Sequence, residues 1–276
     1  SEVRAVCEAS DVVIAVVGLD ATLEGEEGDT GNEYGSGDKP NLNLPGLQPD
    51  IIRIAKESGK PVIVVLLAGS AMALSWEDEH VDAILDGFYP GAQGGAAIAE
   101  ILFGGANPEG KLPITFYQTT EELPEFTDYA MKGRTYRYME NEALYPFGYG
   151  LSYTTYAYGN LECVKPFDAQ DGITLQVTVT NTGDREGTET LQVYVKAKRE
   201  GTPNPQLKYV KKITLKPGES VTEEIHLSPE AFMLYDEKGN FTLEKGAYDI
   251  FVGGCQPDAR SAALTGNAPQ KLTVTY

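Results

Sequence analysis

The sequence predicts an open, mostly parallel α/β sheet followed by an all-β sandwich. Up to about Phe147, apolar strand-like runs alternate with segments of helical periodicity, as they do where helices connect the strands of a parallel sheet. From about Thr154 the apolar period changes to two, and clusters of turn-forming residues separate the runs. A period of two is typical of strands that bury one face.

Three apolar runs in the first half predict strands. They are DVVIAVVGL from Asp11, PVIVVLLAG from Pro61 and the shorter VDAILDGFY from Val81. Continuous apolar runs are typical of strands buried on both faces, and we expect this of the first two. The segment GKLPITFY from Gly110 predicts an edge strand, because Pro113 removes a donor from the hydrogen-bond ladder.

Two segments between these runs predict helices. The second, GAQGGAAIAEILFGG from Gly91, is rich in small residues, which allow a helix to pack closely on a sheet. The first, LPGLQPDIIRIAKESGK from Leu44, contains Gly59 as a typical helix stop. Its apolar positions at helical spacing are Leu47, Ile51, Ile54 and Ala55.

Four segments of the second half alternate with period two. They are ITLQVTVTN, ETLQVYVKA, KKITLKPGESVTEEIHL and GAYDIFVG, with NTGDREG, KPGES and DEKGN as turns. Six or seven short strands over about 120 residues predict a β-sandwich of the immunoglobulin or fibronectin type III kind. In the first segment the predicted core face consists of Ile173, Leu175, Val177 and Val179.

The segment from Met131, MKGRTYRYMENEALYPFGYGLSYTTYAYG, is dense in tyrosine, glycine and arginine. A disordered linker is poor in aromatic residues, so we expect this segment to be ordered and packed. It is interpreted either as a clamp between domains or as part of a ligand site. We therefore divide the chain into an α/β domain over 1–130, an interdomain segment over 131–158 and a sandwich over 159–276.

Composition excludes several classes of partner. The formal net charge is −19, which argues against nucleic acid and anionic membrane surfaces and suits a neutral substrate. No apolar run reaches the about 18 residues of a membrane span. Three distant cysteines without a CxxC pair argue against a disulfide framework or a zinc site. We expect no metal and no cofactor, and the sequence leaves the compartment open.

An acidic segment, GLDATLEGEEGDTGNEYGSGDKPNLNLPG, follows the first predicted strand. Ligand sites in open α/β sheets lie beyond the carboxyl ends of the strands. The spacing does not match an EF-hand calcium loop, and so many acids oppose a phosphate cradle. General acid catalysis on a neutral substrate and a solvated loop without function both stay open. The six carboxylates are Glu24, Glu26, Glu27, Asp29, Glu33 and Asp38.

Other catalytic chemistries have little support. The only histidines, His80 and His226, have no nucleophile-elbow serine nearby, which argues against a serine hydrolase. The segment GAQGG lacks the glycine spacing of a dinucleotide-binding loop. A nucleotide-binding α/β domain is therefore not favoured.

Several motifs in order resemble glycoside hydrolase family 3. They are GLDATLEGEEGD with GDKPNLNLPGLQ, PVIVVLLAG, AILDGFYPGAQGGAAIAEILFGGANPEGKLPITFY, GRTYRY and YPFGYGLSYTTYAYG. The last part, from Leu207 to Gly253, is similar to that family's fibronectin type III-like domain. The resemblance covers nearly the whole chain and is nearest to the β-xylosidase, α-arabinofuranosidase and β-glucosidase branch.

The resemblance implies a retaining mechanism in which a nucleophile and an acid/base carboxyl lie about 5–5.5 Å apart. The family's nucleophile belongs to a (β/α)8 barrel, and no segment of this chain resembles that barrel. We expect it in the same or a companion chain. The branch pattern G-x-D-x-T-x-E-x-E makes Glu24 the acid/base candidate, with Glu26 and Glu27 as second choices.

Two functions therefore stay open. The first is the C-terminal portion of an exo-acting retaining β-glycosidase for β-linked oligosaccharides or glycosides, inactive on its own because the nucleophile domain is missing. The second is a non-catalytic carbohydrate-binding or scaffold module. Sugar specificity and oligomeric state cannot be predicted from the sequence.

Overall fold

The computed structural model describes residues 2–20, 23–24 and 39–276. The chain forms two compact units. The α/β unit contains Ser1–Ala106 and Phe116–Asp128, and the sandwich unit contains Asn107–Thr115 and Tyr129–Tyr276. Within the described ranges, no helix has both the length and the apolar character needed to cross a bilayer.

The α/β unit alternates helices and strands, as predicted. The three strands that the structure describes in this unit are parallel in the order β1-β2-β3, with Val13 paired to Val62 and Val64 paired to Ile84. In chain order the elements are α1 (Glu2–Glu8), β1 (Val13–Gly18), α2 (Gln48–Glu57), β2 (Val62–Leu67), α3 (Ser75–His80), β3 (Ala83–Asp86) and α4 (Gly94–Leu102).

The expectation that the first strand is buried on both faces is wrong in the described part of the chain. β2 is the central strand, and Val62, Val64 and Leu66 are fully buried. β1 lies at the edge of this sheet, where Ile14 is 43% exposed and Val16 is 61% exposed. A continuous apolar run therefore does not distinguish an edge strand from a central one.

The buried face of α2 also differs from the prediction. The buried residues are Ile52 and Ala55, whereas Leu47 and Ile51 are exposed. Leu47 precedes the first helical residue, so it does not share the helical face that packs on the sheet.

The predicted strand over 110–117 is not formed, and only Phe116 of these residues lies in an isolated bridge. Leu112 instead accepts a backbone hydrogen bond from Gly148 and donates one to Tyr149, both 2.8 Å long. Pro113 cannot donate to a ladder, so the pairing does not extend past Leu112.

The sandwich unit has the predicted antiparallel architecture. One sheet has the order β12-β11-β6-β7 and the other β4-β5-β8, while β9 and β10 form a short hairpin. In chain order the elements are α5 (Thr135–Tyr138), β4 (Tyr156–Asp168), β5 (Gly172–Asn181), β6 (Gly187–Ala197), β7 (Gln206–Leu215), β8 (Ser220–Leu227), β9 (Leu234–Tyr235), β10 (Phe241–Thr242), β11 (Ala247–Gly253), α6 (Ala259–Thr265) and β12 (Gln270–Thr275).

The core of the sandwich confirms the predicted period of two. The four residues predicted for the core face of β5 are all fully buried. They pack in one cluster with residues of the opposite sheet, including Leu191 and Val193 of β6 and Ile250 of β11. The unit is therefore held together by alternating side chains from two facing sheets.

A substitution at Gly18 tests the packing of the α/β sheet. Its φ is +138°, and a Cβ atom there would lie 2.0 Å from the backbone oxygen of Leu67. We expect Gly18→Ala to lower the free energy of unfolding of this unit by about 2–3 kcal/mol, because the strained backbone and the clash both oppose folding. Urea unfolding followed by the fluorescence of Trp76, the only tryptophan in the sequence, measures this.

Gly95→Ala is the matched control. Gly95 lies in α4, and a Cβ there meets no described atom within 4 Å. This substitution should raise the free energy of unfolding by about 0.5–1 kcal/mol, because alanine favours a helix more than glycine does. Equal effects at the two glycines would contradict the role of Gly18.

Candidate functional site

Polar side chains from three consecutive strand ends meet at one edge of the parallel sheet. Glu24 follows β1, Ser70 follows β2 and Tyr89 follows β3. The Ser70 hydroxyl donates to Glu24 Oε1 at 2.5 Å, and the Tyr89 hydroxyl donates to Glu24 Oε2. Because the carboxyl ends of parallel strands lie at the same edge, this is where an open α/β sheet forms a ligand site.

The segment that leads to Glu24 is fixed at two points. The amide of Gly18 donates to Gln48 Oε1 at 2.7 Å, and Gln48 Nε2 donates to the Gly18 carbonyl at 2.9 Å. Farther along, the amides of Leu23 and Glu24 donate to the Asp20 carbonyl at 3.0 and 2.8 Å. The Asp20 carboxylate also accepts from Leu23, so a local turn holds the backbone of Glu24.

Gly69 allows the three loops to approach one another. A Cβ atom on Gly69 would lie 2.6 Å from the ring of Tyr89 and 3.2 Å from Glu24 Oε2. Next to Tyr89, Phe88 has a φ of +50°, and its amide donates to Asp86 Oδ1 at 3.0 Å. A residue without a side chain at one loop and a left-handed backbone at another thus present Tyr89 to Glu24.

The surroundings favour the ionised form of Glu24. Burial on its own raises the pKa of this carboxyl, but the Ser70 and Tyr89 hydroxyls, the charge of Lys39 and the Gly69 amide together lower it below its ordinary value. Tyr89 has the opposite shift, because burial and the Glu24 carboxylate raise its pKa. Glu24 is therefore an anion at neutral pH, held by two donors.

Lys39 supplies the positive charge in this site. Its ammonium lies 3.2 Å from the sulfur of Met72. Burial lowers the pKa of Lys39, and the Glu24 carboxylate partly offsets that effect. The site therefore contains an acid and a base whose charges stabilise each other.

Asp86, the last residue of β3, is a second carboxyl at this edge that sequence reasoning did not select. Its Oδ2 atom is buried and has no hydrogen-bond partner among the residues described. Burial raises the pKa of Asp86, although the Phe88 amide lowers it in part. The sequence signal that could have identified Asp86 is its position as an acidic residue at the end of an apolar strand.

The structure describes only one of the three predicted acid/base residues. Glu24 lies in the site, whereas Glu26 and Glu27 lie outside the described residues. Sequence reasoning missed Ser70, which directly follows the second apolar run, and Tyr89, which is the last residue of the third. Across the described ranges, no group of three or more histidine, cysteine, aspartate or glutamate side chains is arranged to bind a metal ion.

Comparison with known proteins places the fold in a family. Residues 1–153 match the profile of the glycosyl hydrolase family 3 C-terminal domain. The chain belongs to glycosyl hydrolase family 3. Residues 189–256 match the profile of a fibronectin type III-like domain, so the resemblance deduced from the motifs and both predicted fold classes are confirmed.

The family 3 relatives are xylosidases and glucosidases. A xylan 1,4-β-xylosidase of Xylanibacter ruminicola is 41% identical over 92% of this chain, and the match spans 30% of the relative. A periplasmic β-glucosidase of Salmonella typhimurium is 38% identical over 88% of this chain and 33% of its own length. The chain thus spans about a third of these relatives.

Solved family 3 structures have the same fold. A β-glucosidase of Erythrobacter marinus matches 99% of this chain and 35% of its own, with a TM-score of 0.80 and 32% identity. A β-glucosidase of Listeria innocua, solved with isofagomine, matches 99% of this chain and 37% of its own, with a TM-score of 0.79 and 28% identity.

The hydrogen bond from Tyr89 gives a testable titration. Because it stabilises the ionised carboxylate, Tyr89→Phe should raise the pKa of Glu24, and Ser70→Ala should do the same. Glu24 stabilises the fold above its unfolded-state pKa, and this stabilisation is lost as the pH falls through the lower folded-state pKa. At neutral pH, both variants should therefore reduce the stabilisation of the fold that ionised Glu24 provides.

Carboxyl ¹³C NMR of Glu24 against pH measures the shift directly. Tyr129→Phe is the control, because Tyr129 is 90% exposed and lies in the sandwich unit. A Glu24 titration that is identical in Tyr89→Phe and Tyr129→Phe would contradict the proposed anchoring.

Proposed function

We propose that this chain supplies Glu24 as the general acid/base of a retaining, exo-acting β-glycosidase. The nucleophile would come from a barrel domain in the same or a companion chain. The observation that carries the proposal is the Glu24 carboxylate, held by Ser70 and Tyr89 where three strand ends meet. The xylosidases and glucosidases among the relatives support β-linked oligosaccharides or glycosides as substrates.

Retention requires two carboxyl groups with different tasks. The nucleophile attacks the anomeric carbon and forms a glycosyl-enzyme, while the acid/base protonates the oxygen of the leaving group. The acid/base then removes a proton from water, which attacks the anomeric carbon and releases the nucleophile. Glu24 would perform both proton transfers, and its partner carboxyl would lie about 5–5.5 Å away.

The electrostatics of Glu24 suit the second of these steps directly. Hydroxyls that donate to the ionised carboxylate stabilise the form that acts as a base towards water. The first step needs a protonated carboxyl. A nearby nucleophile carboxylate and the exclusion of water by a second domain and a bound substrate would each raise the pKa of Glu24. The partner carboxyl would thus keep Glu24 protonated until the glycosyl-enzyme forms.

The assignment of segments follows the same proposal. The proposal keeps three segments along the sequence: an α/β domain over 1–130 that would carry the acid/base, an interdomain segment over 131–158 and a sandwich over 159–276. Glu26 and Glu27 stay as second choices for the acid/base. If the chain were instead a non-catalytic carbohydrate-binding or scaffold module, none of the three glutamates would affect hydrolysis.

The chain alone should not hydrolyse aryl β-xylosides or β-glucosides, since one carboxyl cannot perform a double displacement. In the complete enzyme, Glu24→Gln should lower the rate on substrates with poor leaving groups by about 10²- to 10⁴-fold. Aryl glycosides with acidic leaving groups need little protonation and should form the glycosyl-enzyme nearly normally. Added azide should then restore turnover, because it attacks without a base.

Rates on one good and one poor leaving group, with and without azide, decide the assignment. Glu26→Gln and Glu27→Gln are the matched controls and should retain near-parent rates. Equal losses on both substrates without azide rescue would reject Glu24. Turnover by the pure 276-residue chain that Glu24→Gln abolishes would reject the need for a second domain.

A further inference from the structure

A cavity of about 390 Å³ lies within the sandwich unit, beside α5, β7 and the β9–β10 hairpin. This volume is within the about 300–1,000 Å³ of typical ligand pockets. The side chains that matter for its chemistry are Arg137, Tyr138, Arg199, Lys208, Tyr235 and Phe241.

The charge of this cavity is opposite to that of the whole chain. The chain has 41 acidic and 22 basic residues, yet the described lining contains three basic side chains and no acidic one. Arg199 is paired with Glu244. Arg137 and Lys208 form no ion pair among the residues that the structure describes, so both can attract an anion.

Arg137 has a buried donor that meets no acceptor in the part of the chain that the structure describes. Its Nη2 donates to Gln206 Oε1 at 3.1 Å, but its Nε is buried with no hydrogen-bond acceptor among the described residues. Buried donors in native proteins are rarely left unpaired, because the loss of hydration is costly. Carboxylates and phosphates are the anions that an arginine fork binds in bidentate geometry.

Lys208 adds a second cation that forms no ion pair with any residue in the described ranges. Its side chain is half-buried, and burial together with the charge of Arg137 lowers its pKa. Two cations that repel each other in a partly buried place become compatible when an anion binds between them. The cavity therefore favours a ligand with a negative charge.

Aromatic rings lie beside these cations. Tyr235 and Phe241 are paired across the hairpin, with ring centroids 4.9 Å apart and exposures of 71% and 41%. The Arg137 guanidinium lies 5.6 Å from the ring centre of Tyr138. Exposed aromatic faces offer a stacking surface for the C–H face of a pyranose ring, next to cations that can bind its carboxylate.

The wall of the cavity is held in place before a ligand binds. Tyr136 stacks on Phe147 at 4.3 Å, and its hydroxyl accepts a hydrogen bond from the Leu207 amide at 3.2 Å. The Asn204 side chain donates to the Tyr136 carbonyl at 3.0 Å. Thr135 has a φ of +54°, an unusual conformation for a β-branched residue. A pre-formed wall lowers the cost of ordering on binding.

We propose that this cavity binds a uronic acid residue of an oligosaccharide. Its carboxylate would contact Arg137 and Lys208, and a sugar ring would stack on Tyr235 and Phe241. The negative charge of the ligand is inferred from the cavity alone. The choice of a sugar over an acidic peptide rests on the proposed glycosidase function.

Calorimetric titration of the full chain tests this proposal with three probes. They are xylotriose bearing one glucuronic acid, unsubstituted xylotriose and triglutamate. The glucuronic acid compound should bind at least about tenfold more tightly than either other probe, because charge-assisted hydrogen bonds distinguish it. Added salt should weaken its binding.

Two variants and a control locate the site. Lys208→Gln and Tyr235→Ala should each weaken binding about tenfold, and circular dichroism checks that both remain folded. Lys212→Gln removes the same charge from an exposed position of β7 outside the cavity lining and should leave binding unchanged.

Three results would overturn the proposal. They are equal binding of the neutral and acidic saccharides, tighter binding of triglutamate, or affinity that neither variant alters. Binding does not require Glu24, so Glu24→Gln should leave it unchanged. If the chain binds the uronic acid compound but azide does not rescue Glu24→Gln, the acid/base assignment is rejected and the proposal for the sandwich cavity still stands.

Discussion

The contact between Glu24 and the hydroxyls of Ser70 and Tyr89 is the interaction on which the candidate site depends. It joins residues 46 and 65 positions apart, so it forms only when three strands pair in parallel and in register. Gly18 and Gly69 allow that pairing and that approach. The sheet therefore does more than support the site, because its register determines which side chains surround the carboxylate.

Periodicity was sufficient to predict the fold, and the reason is physical. In the first half of the chain, strand-like and helix-like segments alternate, whereas in the second half apolar and polar residues alternate. Each pattern reflects which faces are buried, and the folds of both units agree with it. It could not predict that β1 lies at the edge of the described sheet, since Ile14 and Val16 continue the apolar run while remaining exposed. Nor could it show that Leu112 pairs with Gly148 and Tyr149 in place of a new strand.

The site was predictable only in part. Glu24 is indicated by a motif resemblance, whereas Ser70 and Tyr89 are recognised as its partners, and Asp86 as a second carboxyl at the same edge, only once strand order is known. The tyrosine-rich segment illustrates the same limit. Its aromatic content predicted order, and Tyr136 indeed packs between Phe147 and Tyr194. The adjacent cavity depends on Lys208, Tyr235 and Phe241, which no local pattern connects to Arg137.

The pH dependence of kcat/KM in the complete enzyme tests the central claim most directly. A substrate with a poor leaving group makes the rate depend on protonated acid/base, so the basic limb of the profile reports its pKa. Since the Tyr89 hydroxyl favours ionised Glu24, Tyr89→Phe should move the basic limb to higher pH and leave the acidic limb, which reports the nucleophile, in place. A basic limb that does not move would contradict the assignment of Glu24 as the acid/base anchored by Tyr89.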